Sequence, residues 1–154
     1  METASLLRPL APGNYCDPAR YHLTLAFLGD LPEGYLPSLR QAMENAATGQ
    51  QPFSLSLGNL SSFGPVLWRG VMDSEALGQL AADLRRELNA AAIPYDPRPF
   101  RPHITLAYDT EGMPSTANSL RLPEADFLAD TLILYESTRQ SGQLAYMPRI
   151  RVAL

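Results

Sequence analysis

The chain has 154 residues, 45% of them hydrophobic and 18% charged, a composition that can bury a proper core and excludes both a disordered chain and two domains of ordinary size. Twelve basic side chains, all arginine, against sixteen acidic ones leave a net charge of -4, which excludes the broad basic surface of a nonspecific duplex binder and leaves room for a small basic pocket. Cys16 is the only cysteine, no apolar run approaches the ~18 residues of a membrane helix, and no charged start leads into a signal-like stretch, so the sequence predicts a cytoplasmic chain with no internal disulfide and no membrane partner.

Residues 1–20 carry Pro9, Pro12, Gly13 and Pro18 without periodicity and read as an irregular lead-in. Tyr21 to Leu28 is extended and apolar, closed by Gly29-Asp30, which predicts a strand. A helix is predicted over 36–47, with Pro37 tolerated in its first turn and Gly49 ending it. Phe53, Leu55 and Leu57 alternate as in a half-buried strand, Ser61-Ser62-Phe63-Gly64 reads as a loop, and 66–72 is a further strand. Ser74 is the predicted N-cap of a helix whose Leu77, Leu80, Ala81, Leu84 and Leu88 share one face. A proline-rich turn from Pro94 to Pro99 precedes a strand over 103–108. Residues 109–123 read as a loop, and strands over 127–135 and 144–152 close the chain around a turn at Ser141-Gly142. Several neighbouring strands are joined too tightly for a parallel crossover, so the fold class is α+β with antiparallel sheets.

One segment recurs. Tyr21-His22-Leu23-Thr24-Leu25-Ala26-Phe27 returns as Pro102-His103-Ile104-Thr105-Leu106-Ala107-Tyr108, and these contain the only two histidines of the chain. Side chains alternate along a strand, so His22 and Thr24 share one face while Leu23 and Leu25 anchor the other; the same holds for His103 and Thr105. Two such strands brought together would present two imidazoles and two hydroxyls. Opening a phosphodiester needs one group to take a proton from water and another to protonate the departing oxygen, and hydroxyls suit the nonbridging oxygens.

Flanking residues add candidates. Arg101 lies two residues before His103 and is suited to a phosphate. Phe63 is a candidate to stack on a base, as are Phe27, Tyr108 and Tyr146, which are otherwise core aromatics. Trp68 alternates with Val66 and Gly70 and reads as packing, and Cys16 is given no chemistry.

In these motifs the chain resembles the two-histidine phosphoesterases, and within them the branch of RNA 2′,3′-cyclic phosphodiesterases also called 2′-5′ RNA ligases. The likeness runs from Tyr21 onward through His22 to Gly29, Val66-Leu67-Trp68, Pro99 to Leu106, Leu134-Tyr135-Glu136-Ser137, Gly142 and Tyr146. It implies a single domain over 1–154 with a bilobal, pseudo-two-fold duplicated fold, one lobe per His-x-Thr motif, antiparallel sheets lining a central cleft and helices outside. It also implies opening of 2′,3′-cyclic phosphates to 2′-phosphates without metal or cofactor, with His22 as general acid, His103 as general base, and Thr24 and Thr105 on the phosphate. The partners implied are RNA 3′ ends or small cyclic nucleotides, with no stable protein partner. Three features depart from the branch. Pro65 and Tyr108 stand where basic residues are usual, and the strand that usually precedes the first motif is missing, which predicts an open sheet edge that self-associates or is covered by residues 1–20.

Three rivals remain at this level. A metalloenzyme lacks a carboxylate or cysteine at ligand spacing near either histidine. A noncatalytic nucleotide-binding module would need hydroxyls and arginines but no matched acid and base. The same chemistry on another cyclic nucleotide or a 2′-5′ linked oligonucleotide stays open.

Overall fold

A computed structural model describes residues 6–113 and 120–154. Strands and helices in chain order are β1 (Asn14–Tyr15), α1 (Leu36–Ala47), β2 (Phe53–Phe63), β3 (Val66–Val71), α2 (Glu75–Ala90), β4 (His103–Tyr108), β5 (Asp126–Ala129), β6 (Thr131–Gln140) and β7 (Gln143–Ala153). The fold is α+β, and the chain divides into two compact units, each assembled from three segments.

The first unit comprises residues 1–24, 55–73 and 101–127. A five-stranded sheet in the order β1-β4-β3-β2-β5 dominates it, with β1–β4, β3–β4 and β2–β3 antiparallel. Leu60, Leu67, Ile104, Leu106 and Ala107 form the buried core on the sheet, together with Leu7 and Ala11 from the lead-in. Arg69 is buried on the same side, donating from Nε to the carbonyl of Gly58 (2.9 Å) and from Nη2 to that of Pro123 (2.7 Å), and burial pulls its pKa below the ordinary arginine value. Those bonds fasten the segment before β5 to the sheet.

The lead-in corrects the sequence reading. It is not irregular: the N–H groups of Leu10 and Ala11 donate to Leu7 O in a helical turn, Asn14 and Tyr15 pair with Tyr108 and Ala107, and Cys16 N donates to Leu106 O at 2.8 Å. The edge of β4 at Ala107 and Tyr108 is occupied by the chain's own β1. Gly13 permits this approach, since a Cβ there would lie 2.5 Å from Thr110 Cγ2 and 2.8 Å from Tyr108 O. After a 3-10 turn at Pro18–Arg20, begun by the Asp17 side chain, the chain returns to β4 at Leu23. The continuous strand predicted over 21–28 is therefore a single bridge at Leu23, because from Leu25 the chain joins the other unit.

The second unit comprises residues 25–54, 74–100 and 128–154. Helices α1 and α2 pack with the β6–β7 hairpin around Leu39, Ala42, Met43, Ala46, Leu84, Leu88, Ile93, Leu132 and Ile150. Ser74 caps α2 by accepting from Leu77 N at 3.2 Å. The hairpin turns at Ser141 and Gly142, both at positive φ (51° and 79°), the conformation of a type I′ turn. The strand predicted over 127–135 is two strands broken at Asp130: β5 joins the first sheet and β6 pairs with β7.

Candidate active site

The two motifs meet within the first unit. Leu23 and Ile104 form an antiparallel bridge, and carrying that register one residue each way sets His22 opposite Thr105 and Thr24 opposite His103. Residues directly opposed in an antiparallel pair share a face at about 4.5–5.5 Å between Cβ atoms, so both imidazoles and both hydroxyls belong to one side of the sheet edge. Both His-x-Thr triplets lie in the first compact unit, joined by the Leu23–Ile104 bridge.

The same backbone contact holds both rings. His22 Nδ1 lies 2.9 Å from Arg20 O, and His103 Nδ1 lies 2.7 Å from Arg101 O. A carbonyl oxygen only accepts, so each Nδ1 carries a proton and donates, which leaves Nε2 as the working nitrogen of each ring. The bond survives whether the ring is neutral or cationic, so either histidine can serve as base or as acid. Sequence reasoning missed Arg20; the signal was there, since the repeat extends upstream as Arg-x-His-x-Thr in both copies.

Strand β3 widens the site. Trp68 pairs with Thr105 and Gly70 with His103, and on β2 Ser61 pairs with Trp68. The Trp68 ring stands 5.5 Å from the His103 ring, and Phe63 meets His103 edge-on at 5.4 Å while stacking on Trp68 at 4.7 Å. The Arg101 guanidinium lies over Phe63 at 5.7 Å. Arg101 and Phe63 are thus brought beside His103. Phe63 is the last residue of β2, not a loop residue, and is 41% exposed. Trp68 belongs to this cluster and is more than packing, and its buried Nε1 has no partner among the described residues. Tyr108 ends β4 beyond a register shift between Leu67 and Trp68, pairs with Asn14, and lies on the face opposite the buried Ala107. Among the described residues no three His, Cys, Asp or Glu side chains come together as a metal-ligand group. Nor is any described helix long and apolar enough to cross a membrane.

The profile of the 2′-5′ RNA ligase superfamily matches residues 10–141. The chain belongs to that superfamily. It is 36% identical over 129 residues to an RNA 2′,3′-cyclic phosphodiesterase of Geobacillus stearothermophilus and 32% identical over 117 residues to one of Thermus thermophilus, alignments covering 78% and 70% of this chain. The chain spans 41% of the first relative and 59% of the second. Among solved structures it is similar to E. coli LigT complexed with 3′-AMP, at a TM-score of 0.80 and 26% identity over 99% of this chain and 89% of LigT. A solved Thermus thermophilus protein gives 0.78 and 26% over 99% of this chain and 88% of that one.

Proposed function

We propose that the protein opens 2′,3′-cyclic phosphates at RNA or nucleotide ends to 2′-phosphates, without a metal ion. The observation that supports this reading is the matched pair of Nδ1–carbonyl contacts, which leaves Nε2 of both rings for proton transfer in two motifs joined by the Leu23–Ile104 bridge. His103 Nε2 takes a proton from water as its oxygen bonds to phosphorus. The P–O3′ bond breaks, and His22 Nε2 gives its proton to the 3′ oxygen. Thr24 and Thr105 donate to the nonbridging oxygens, where charge is redistributed in the transition state. Phe63 and Arg101, already stacked, provide a surface for the terminal base and a charge for phosphate. The names of the relatives, RNA 2′,3′-cyclic phosphodiesterase, support the substrate class.

The test is a product assay on 2′,3′-cyclic nucleotides and on RNA with a 2′,3′-cyclic phosphate end, with excess chelator present. A 2′-phosphate product at undiminished rate is expected. A 3′-phosphate product, loss of activity with chelator, or no turnover of any cyclic phosphate would each overturn a part of the reading.

A further inference from the structure

We propose that one face of the β6–β7 hairpin is a track for single-stranded RNA. The inference rests on the RNA reading above and extends recognition to the second unit. Leu132 and Leu134 of β6 turn toward the core of that unit, so alternation places Ile133, Tyr135, Ser137 and Arg139 on the other face. Their partners across the hairpin are Arg151, Pro148, Tyr146 and Leu144. Read along the strands, this face runs Arg151, Tyr135, Tyr146, Arg139, a span of about 20 Å at ~3.4 Å per residue.

Three features make this a nucleic-acid surface. The Tyr135 and Tyr146 rings lie 6.1 Å apart at 74°, and Tyr135 is 37% exposed, so an aromatic platform occupies the middle. Arg139 and Arg151 are exposed at its two ends and enter no salt bridge among the described residues, whereas Arg149, in the register shift between them, is paired with Glu33 and Glu136. No acidic residue stands on this face, in a chain whose net charge is -4. Aromatic rings flanked by unpaired guanidinium groups suit the unstacked bases and phosphates of a single strand, and an acidic peptide would use the charges and leave the rings idle.

The experiment compares binding of an eight-nucleotide single-stranded RNA ending in a 2′-phosphate with binding of the 2′-mononucleotide, each over a range of salt concentration. The oligonucleotide is expected to bind at least tenfold more tightly. The double variant Arg139→Gln with Arg151→Gln should erase most of that advantage and flatten the slope of log K against log salt by about 1.4, two contacts at ~0.7 each. The double lysine variant should retain the slope, and Tyr146→Leu should lower oligonucleotide affinity with the slope unchanged. Equal affinities for oligonucleotide and mononucleotide, an unaltered slope in the glutamine variant, or tighter binding of an acidic peptide than of RNA would overturn the track. Oligonucleotide binding that loses its slope in the glutamine variant while no cyclic phosphate is hydrolysed would uphold the track and sink the catalytic reading.

Discussion

Leu23 and Ile104 are opposed across an antiparallel bridge, and this one apolar pair determines that the two histidines share a face with the two threonines. Each histidine is flanked across the strands by the threonine of the other motif, so neither triplet is complete alone. Removal of either imidazole therefore leaves a hydroxyl pair with half of its acid–base chemistry. His22→Ala and His103→Ala should each lower turnover by about 10²- to 10⁴-fold while the circular dichroism spectrum stays unchanged, and the double variant should be little worse than either single one. Near-native turnover in either single variant would sink the two-histidine mechanism.

The hydroxyls make a separate demand. Thr24→Val and Thr105→Val keep shape and strand propensity and remove one donor each, so the loss should appear in kcat and amount to a few kcal/mol at most. Unchanged kinetics in both variants would return these threonines to ordinary strand residues.

The elements with a strong local signal are the ones legible in the sequence. The prolines, Gly49 and the apolar spacing place α1 at Leu36–Ala47, Ser74 caps α2, and β4 matches its predicted span. What could not be read is whatever depends on long-range pairing. The two residues of β1 have no period to detect and are strand only because Tyr108 and Ala107 lie beside them. The break at Asp130 divides one apolar run between two sheets, and nothing in its alternation marks the change of partner. In the site, residue types and the repeat exposed His22, Thr24, His103 and Thr105. The groups holding the rings are backbone carbonyls, which composition does not reveal, and Trp68 joins His103 through cross-strand register rather than spacing along the chain.

The lead-in is part of the core of the first unit, which makes its removal costly. Leu7 is fully buried against the sheet, and Leu7→Ala should destabilise the protein by about 2–5 kcal/mol in denaturant unfolding. Burial also pushes the Cys16 thiol above its ordinary pKa. The thiolate is the reactive form, so a raised pKa leaves less of it at pH 8, and alkylation by iodoacetamide should be slower in the folded protein than in denaturant, with its pH midpoint displaced upward. A Leu7→Ala variant of wild-type stability, or a Cys16 that reacts as fast folded as unfolded, would mean that residues 6–16 do not pack on the sheet in solution.

The matching carbonyl bonds allow either histidine either role, so the assignment of acid and base needs its own test. With His103 as base and His22 as acid, one ring must be neutral and the other protonated, and the rate should trace a bell in pH. The acidic limb belongs to the base, which loses its Nε2 lone pair on protonation; the alkaline limb belongs to the acid, which has no proton left to give. Replacing the natural leaving group by nitrophenolate removes the need for an acid, because that oxygen departs unprotonated. On such a diester His22→Ala should recover most of its activity and lose the alkaline limb, while His103→Ala, still without a base for water, should stay impaired. Recovery of the His103 variant instead would exchange the two roles, and recovery of neither would leave leaving-group protonation without support as the function of either ring.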